Sequence, residues 1–322
     1  MPLDPRVKRF LDALAMTSPS DALSLSVTER RHAVDSLLKL RGPEVAVGAV
    51  RDGCLPGSAG PIPIRSYDPP GGMTGPLPGI VYFHGGGLVA GSLETHDGIA
   101  RALTGGSGCR LISIEYRLAP EAPFPAAVED AVDAVRYVMR HPQQFGMSGR
   151  IAVCGDSAGA TLAAVTCQAL HDARGPVPQL QVLLCPIMDY ADRSASRREF
   201  ASGYLVDEAT LRHDLKYYLP PGTSPADPRV SPLRAEKLPA SIPTLVHTAE
   251  CDPLRDEAAE YALRMRQAGA AVSYTCHAGM IHLFYGLGGA IPYARQAVAG
   301  IAAEIGTALR AAGQHDAQAQ AP

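Results

Sequence analysis

Six short apolar runs constrain this chain more than any other feature. Residues 80–83, 110–116, 151–155, 180–185, 244–248 and 272–276 are apolar or β-branched at nearly every position and alternate with stretches of helical periodicity. Strands that are apolar throughout, rather than at every second residue, must be covered on both faces. The intervening helices supply that cover, so the pattern predicts an α/β fold with a mostly parallel sheet. Residues 127–139 show such a helix, with Val128, Ala131, Val132, Val135, Val138 and Met139 along one stripe before Pro142 stops it. Its acidic residues read as a solvated face.

The regions outside this rhythm have a different character. Between 56 and 78 the chain is rich in Pro and Gly around short segments such as IPIRSY, which reads as antiparallel edge pairing. Residues 1–45 read as amphipathic helices separated by a Ser/Thr-rich break. The second takes Thr28 as N-cap and places Val34, Leu37 and Leu38 on one face. From 187 to 238 the alternation lapses into a charged, Ser- and Pro-rich segment with one amphipathic piece, VDEATLRHDLKYYL. An insertion of this length suits a lid better than a structureless loop. The expected organisation is therefore a cap from 1–45 and 187–238, a core from 46–186 and 239–311, and a flexible Ala/Gln-rich tail at 312–322.

Composition narrows the function. With 322 residues, 46% hydrophobic and 19% charged, the chain can bury a large core. A net charge of -3, from 29 basic and 32 acidic residues, creates no field for nucleic acid. No run of about 18 apolar residues spans a bilayer, and the N-terminus lacks the apolar stretch of a secretory signal. The seven cysteines show no ligand spacing and several lie in apolar runs, so they read as buried reduced thiols, without a metal site. A cytoplasmic enzyme or binding protein fits these observations.

Two glycine-dense motifs carry the chemistry. Gly155-Asp156-Ser157-Ala158-Gly159 follows an apolar strand and precedes a helical stretch. A serine on such a turn adopts strained backbone angles, and side chains two residues to either side would collide. His84-Gly85-Gly86-Gly87 follows another strand, where glycines let backbone N–H groups approach a tetrahedral oxyanion. A phosphate cradle would need a GxGxxG or GK[ST] pattern that the chain lacks. A serine nucleophile in this setting needs an acid and then a base on later strand ends. Asp252 and His282 occur in that order. Asp256 competes with Asp252 but falls in the next helix, where a first-turn acid is ordinary, and His277 competes with His282 from a strand end. His171 and His213 read as surface residues of helices.

These motifs resemble the hormone-sensitive-lipase-like carboxylesterases of the α/β-hydrolase fold. The match comprises HGGG at 84–87, YRLAPE at 116–121, GDSAG at 155–159, DPLRDE at 252–257 and GMIH at 279–282, in order over about 200 residues. The resemblance implies an eight-stranded, mostly parallel sheet with a helical cap. It implies Ser157 as nucleophile, Asp252 as acid and His282 as base, with Gly85, Gly86 and Ala158 as oxyanion donors. It makes Asp156 and residues 116–121 structural neighbours of the site. It further suggests a homodimer along the last strand and the C-terminal helix.

Many relatives carry an aromatic residue after HGGG and a glycine after the base, where this chain has Leu88 and Leu283. Both leucines are therefore expected to wall an aliphatic substrate pocket. The expected reaction is hydrolysis of short- to medium-chain acyl esters through an acyl-enzyme, with neither metal nor organic cofactor. His282 must be neutral to act as base, so activity should rise from mildly acidic toward neutral pH. An amidase, lactonase or acyltransferase would use the same residues. Plant gibberellin receptors resemble the family but lack the histidine that His282 supplies here.

Overall fold

Ile80 and Tyr82 face one side of strand β3 (Leu77–Phe83), Val81 and Phe83 face the other, and all four are fully buried. This alternation divides the core into two apolar clusters, one on each face of the sheet. In the computed structural model, residues 3–16, 22–72, 75–191 and 193–319 are described. The sheet also contains β1 (Ala49–Gly57), β2 (Gly60–Asp68), β4 (Arg110–Ile114), β5 (Met147–Asp156), β6 (Leu180–Leu184), β7 (Thr244–Cys251) and β8 (Val272–Ile281). Its order is β1-β2-β4-β3-β5-β6-β7-β8, with antiparallel pairing at β1/β2 and β2/β4 and parallel pairing elsewhere. Edge pairing thus starts at Ala49, ahead of the Pro-rich stretch that announces it.

Helices α4 (Ala126–Arg140), α5 (Ala158–Asp172) and α8 (Arg255–Gln267) cover the Val81/Phe83 face, burying Ala131, Val135, Leu162 and Tyr261. On the opposite face α3 (Asp97–Ser107) and α9 (Tyr293–Ala319) bury Leu103, Ile301 and Ile305. Helix α9 runs through Ala319, so the described part of the tail expected from 312 is helical, and residues 320–322 lie outside the described residues. Alanine and glutamine favour helix without needing tertiary contacts, so an apolar period is not required for it to continue. The acidic face of α4 also differs from expectation: Asp130 is buried and accepts from the backbone N–H and guanidinium of Arg117 at 2.8–3.0 Å.

The N-terminal segment and the insertion pack on residues at or after the ends of β3, β7 and β8. Helix α1 (Pro5–Ala15) places Val7 in a buried cluster with Met280, Ile281 and Phe200, and Asp4 N–H donates to the Gly279 carbonyl. Helix α2 (Val27–Leu38) starts one residue before Thr28. Ser26 is the N-cap because it exchanges hydrogen bonds with Glu29 in a reciprocal capping box. The Ser/Thr-rich break at 17–20 and the Leu38 side chain lie outside the described residues.

In the insertion, α6 (Ala195–Glu199) packs on α8, and α7 (Glu208–Tyr218) meets the N-terminal segment. His213, expected at the surface, is buried because its ring bonds the Leu25 carbonyl and Asp214. All seven cysteines are unpaired; Cys54 and Cys276 are exposed and the other five buried. Among the described residues, no helix is long and apolar enough to cross a membrane.

Candidate active site

Ser157 stands between the end of β5 and the start of α5 with φ +52°, in the region that disfavours side chains. Its neighbours explain how the chain tolerates this. A side chain at Gly159 would strike the carbonyls of Phe83 and His84, and one at Gly155 would strike the Gly159 carbonyl. The turn therefore closes against β3 only with glycine at both positions. Ser157 N–H donates to the Leu184 carbonyl at 2.8 Å, which pins the turn to β6.

The other predicted polar residues converge on this serine. His282 directly follows β8 and Asp252 directly follows β7, and both are buried. His282 Nε2 lies 2.9 Å from Ser157 Oγ, and its Nδ1 lies 2.8 Å from Asp252 Oδ2. The carboxylate accepts from Nδ1–H, which leaves Nε2 free to accept the serine proton. Asp252 Oδ1 accepts from Leu254 N–H at 2.9 Å, so both carboxylate oxygens are held. The rivals fall elsewhere. Asp256 is in α8 and accepts from Ser196 N–H, while His277 bonds Tyr293 and His247.

The glycine loop after β3 requires one correction. Gly85 N–H donates to Asp156 Oδ1 at 3.0 Å, so it has no hydrogen to offer an oxyanion. The backbone N–H groups of Gly86, Gly87 and Ala158 have no acceptor among the described residues. The loop N–H groups left open are therefore those of Gly86 and Gly87, one position on from the Gly85 and Gly86 expected. Asp156 also accepts the Tyr82 hydroxyl at 2.5 Å. Burial pushes the Asp156 carboxyl up, but neighbouring His96 and the Tyr82 hydroxyl outweigh it and hold the group below the usual carboxylate range. Burial, reinforced by His96, pulls His84 down to about 3.

The two leucines part company. Leu88 is fully buried, packs in the core cluster with Tyr116 and Ala119, and its carbonyl accepts Ala119 N–H. It supports the loop rather than walling a pocket. Leu283 is half-buried beside His282. One neighbour escapes the sequence reading: Cys185, whose sulfur lies within 4.8 Å of donor atoms of Asp252 and His282. Burial first, then the Asp252 charge, pushes its thiol well above the ordinary value, so it stays protonated and is a poor nucleophile. Its place after β6, one strand from Asp252, is the only sequence signal of this proximity.

A serine on a strand-to-helix elbow, bonded to an imidazole that a buried carboxylate orients, defines a serine hydrolase of the α/β class. Residues 80–286 match the family described as having the alpha/beta hydrolase fold. Among similar proteins, the carboxylic ester hydrolase LipN of Mycobacterium tuberculosis is 42% identical over 268 residues, 81% of this chain and 70% of that one. An ethyl acetate hydrolase of Pseudomonas putida is 37% identical over 235 residues, 71% and 73% of the two chains. A solved α/β-hydrolase enzyme from the metagenome of Lake Arreo, Spain, aligns with TM-score 0.90 and 38% identity, covering 95% of this chain and 98% of that one. The chain belongs to the hormone-sensitive-lipase-like carboxylesterases, and its reaction is carboxylic ester hydrolysis.

Proposed function

We propose that Ser157, His282 and Asp252 carry this hydrolysis of short- to medium-chain acyl esters. The hydrogen-bonded path from Ser157 Oγ through His282 to Asp252 is the observation that supports the assignment. His282 takes the serine proton as Oγ attacks the ester carbonyl, and Asp252 fixes the ring and stabilises the imidazolium. Gly86, Gly87 and Ala158 N–H groups receive the oxyanion, with the start of α5 adding its favourable dipole. His282 then protonates the departing alcohol. In the second half it activates water, which releases the acid and restores Ser157. Every step uses protein groups and water alone.

The N-terminal segment and the insertion serve as a cap. Supporting this, Arg30 of α2 pairs with Asp214 of α7, and Ser157 is only 7% exposed. A covered serine suits small esters better than an insoluble lipid surface, in line with the ethyl acetate specified in one relative's name. The exposed edge of β8 and the exposed Tyr293 of α9 suit pairing between two copies. Seven unpaired cysteines suit a cytoplasmic location.

Hydrolysis of p-nitrophenyl esters from two to sixteen acyl carbons, with a matched amide as control, tests the assignment. Activity should peak at short chains, spare the amide and vanish in Ser157→Ala. Retention of turnover by that variant would remove Ser157 from the mechanism.

A further inference from the structure

A loop of three consecutive glycines cannot hold its own shape. Gly86 and Gly87 have φ +125° and +67°, and with no side chains they bring no packing of their own. Yet oxyanion donors act only when fixed in advance, and a displacement of about 1 Å can cost on the order of 100-fold in rate. The restraints on this loop are therefore part of the machinery.

The core supplies one set of restraints. Asp156 holds Gly85 N–H, the Gly86 carbonyl accepts Ala90 N–H at 2.9 Å, and the Leu88 carbonyl accepts Ala119 N–H at 2.9 Å. The second set comes from the segments outside the core. The Asp214 carboxylate of α7 occupies the space beside Gly87 that any Cβ there would need. Asp214 is fixed in turn by Arg30 of α2, through bonds of 3.0 and 2.7 Å, and by His213 Nδ1 at 3.0 Å. The next residue of α2, Arg31, donates to the Val89 carbonyl at 2.9 Å and to the Ala119 carbonyl at 3.2 Å, and its guanidinium also binds Glu121. Consecutive arginines thus clamp both ends of one short stretch of loop.

We propose that Arg31 and Asp214 are positioning residues for the oxyanion loop, so that α2 and α7 complete the anion-binding geometry as well as roofing the substrate. Asp214 also explains why Arg30 must be present. A bare carboxylate beside Gly87 would oppose an oxyanion, and the two-pronged guanidinium offsets its charge. The proposal rests on reading Gly86, Gly87 and Ala158 as the donors.

The test compares wild type, Arg31→Ala, Arg31→Lys and Asp214→Asn. Each is assayed for kcat and KM on p-nitrophenyl butyrate, Tm, and Ki for an alkyl trifluoromethyl ketone, whose serine adduct places an oxyanion in the hole. Arg31→Ala should lower kcat about tenfold with KM within twofold, and raise the ketone Ki about tenfold; Asp214→Asn, which keeps the side chain's shape and one acceptor for Arg30, should show the same changes at about threefold. Arg31→Lys should recover part of both losses through a single bond to a loop carbonyl. Arg31 is a third exposed, so its replacement tests the idea even if Asp214→Asn lowers Tm. Unchanged kcat and Ki in Arg31→Ala, or a rise in KM alone, would overturn the positioning role. Failure of the underlying site reading shows separately, as a wild type that the ketone does not inhibit or a Ser157→Ala variant that still turns over.

Discussion

The Ser157–His282–Asp252 path and the glycine loop occupy the same end of the sheet but are secured in opposite ways. Each member of the path directly follows a parallel strand, β5, β8 or β7, and hydrogen-bonds to the next member. Strand register sets their spacing, and little else is needed. The loop also follows a strand, β3, but its shape is borrowed from side chains that enter from α2, α7 and the end of β5. One half of the site is built by backbone order and the other by remote contacts. Damage should therefore be abrupt in the first half and graded in the second.

Four measurements sharpen or break this contrast. Ser157→Ala should lower kcat about a millionfold, with folding judged by an unchanged circular dichroism spectrum. Asp252→Asn keeps the side chain's shape but permits the wrong imidazole tautomer, and should lower kcat about ten-thousandfold. Asp156→Ala removes the acceptor for both Gly85 N–H and the Tyr82 hydroxyl, so kcat should fall on the order of 100-fold. Asp156→Asn keeps an acceptor oxygen and should lose much less. Equal losses in these two variants would show that charge, rather than loop geometry, is what Asp156 contributes.

The smallest effect is on acid stability and lies outside both halves. Burial, with His277 beside it, pulls His247 down to about 3 from an ordinary 6.5, and burial pulls His277 down to about 4. Their rings are 3.3 Å apart at the nearest nitrogens, and they face Tyr293 and Glu304 of α9 and Tyr285 of the preceding loop. Below about pH 6.5 the unfolded chain binds protons that the fold refuses, so stability is intact above that value and falls from there toward pH 4 and 3. Melting temperature followed from pH 7 to 4.5 should decline, and His277→Gln should flatten the decline. An unchanged slope in that variant would locate the acid sensitivity elsewhere.

The sequence was most legible where structure is local. Six apolar runs placed six of the eight strands, and the steric demands around Ser157 identified the elbow, because both signals lie within a few residues of their cause. Asp252 and His282 could be placed because each follows a strand directly. The bond that occupies Gly85 was hidden because three adjacent glycines look alike until Asp156 is seen to take the N–H of the first. Leu88 misled because a residue next to the loop can turn into the core. Asp130, His213 and Asp214 were illegible for a common reason. Each is a charged or polar residue on an amphipathic helix, whose partner, Arg117, the Leu25 carbonyl or Arg30, lies 13 to 188 positions away in the chain.

Strand β8 is the last of the described strands and also the outermost on its side of the sheet. Proteins that fold during synthesis order their N-terminal parts first. A ribosome-bound chain that has emerged through α8 already holds both glycine motifs, Ser157 and Asp252, but lacks His282, the proposed base. On the proposed assignment, catalysis waits for this edge strand to be laid down.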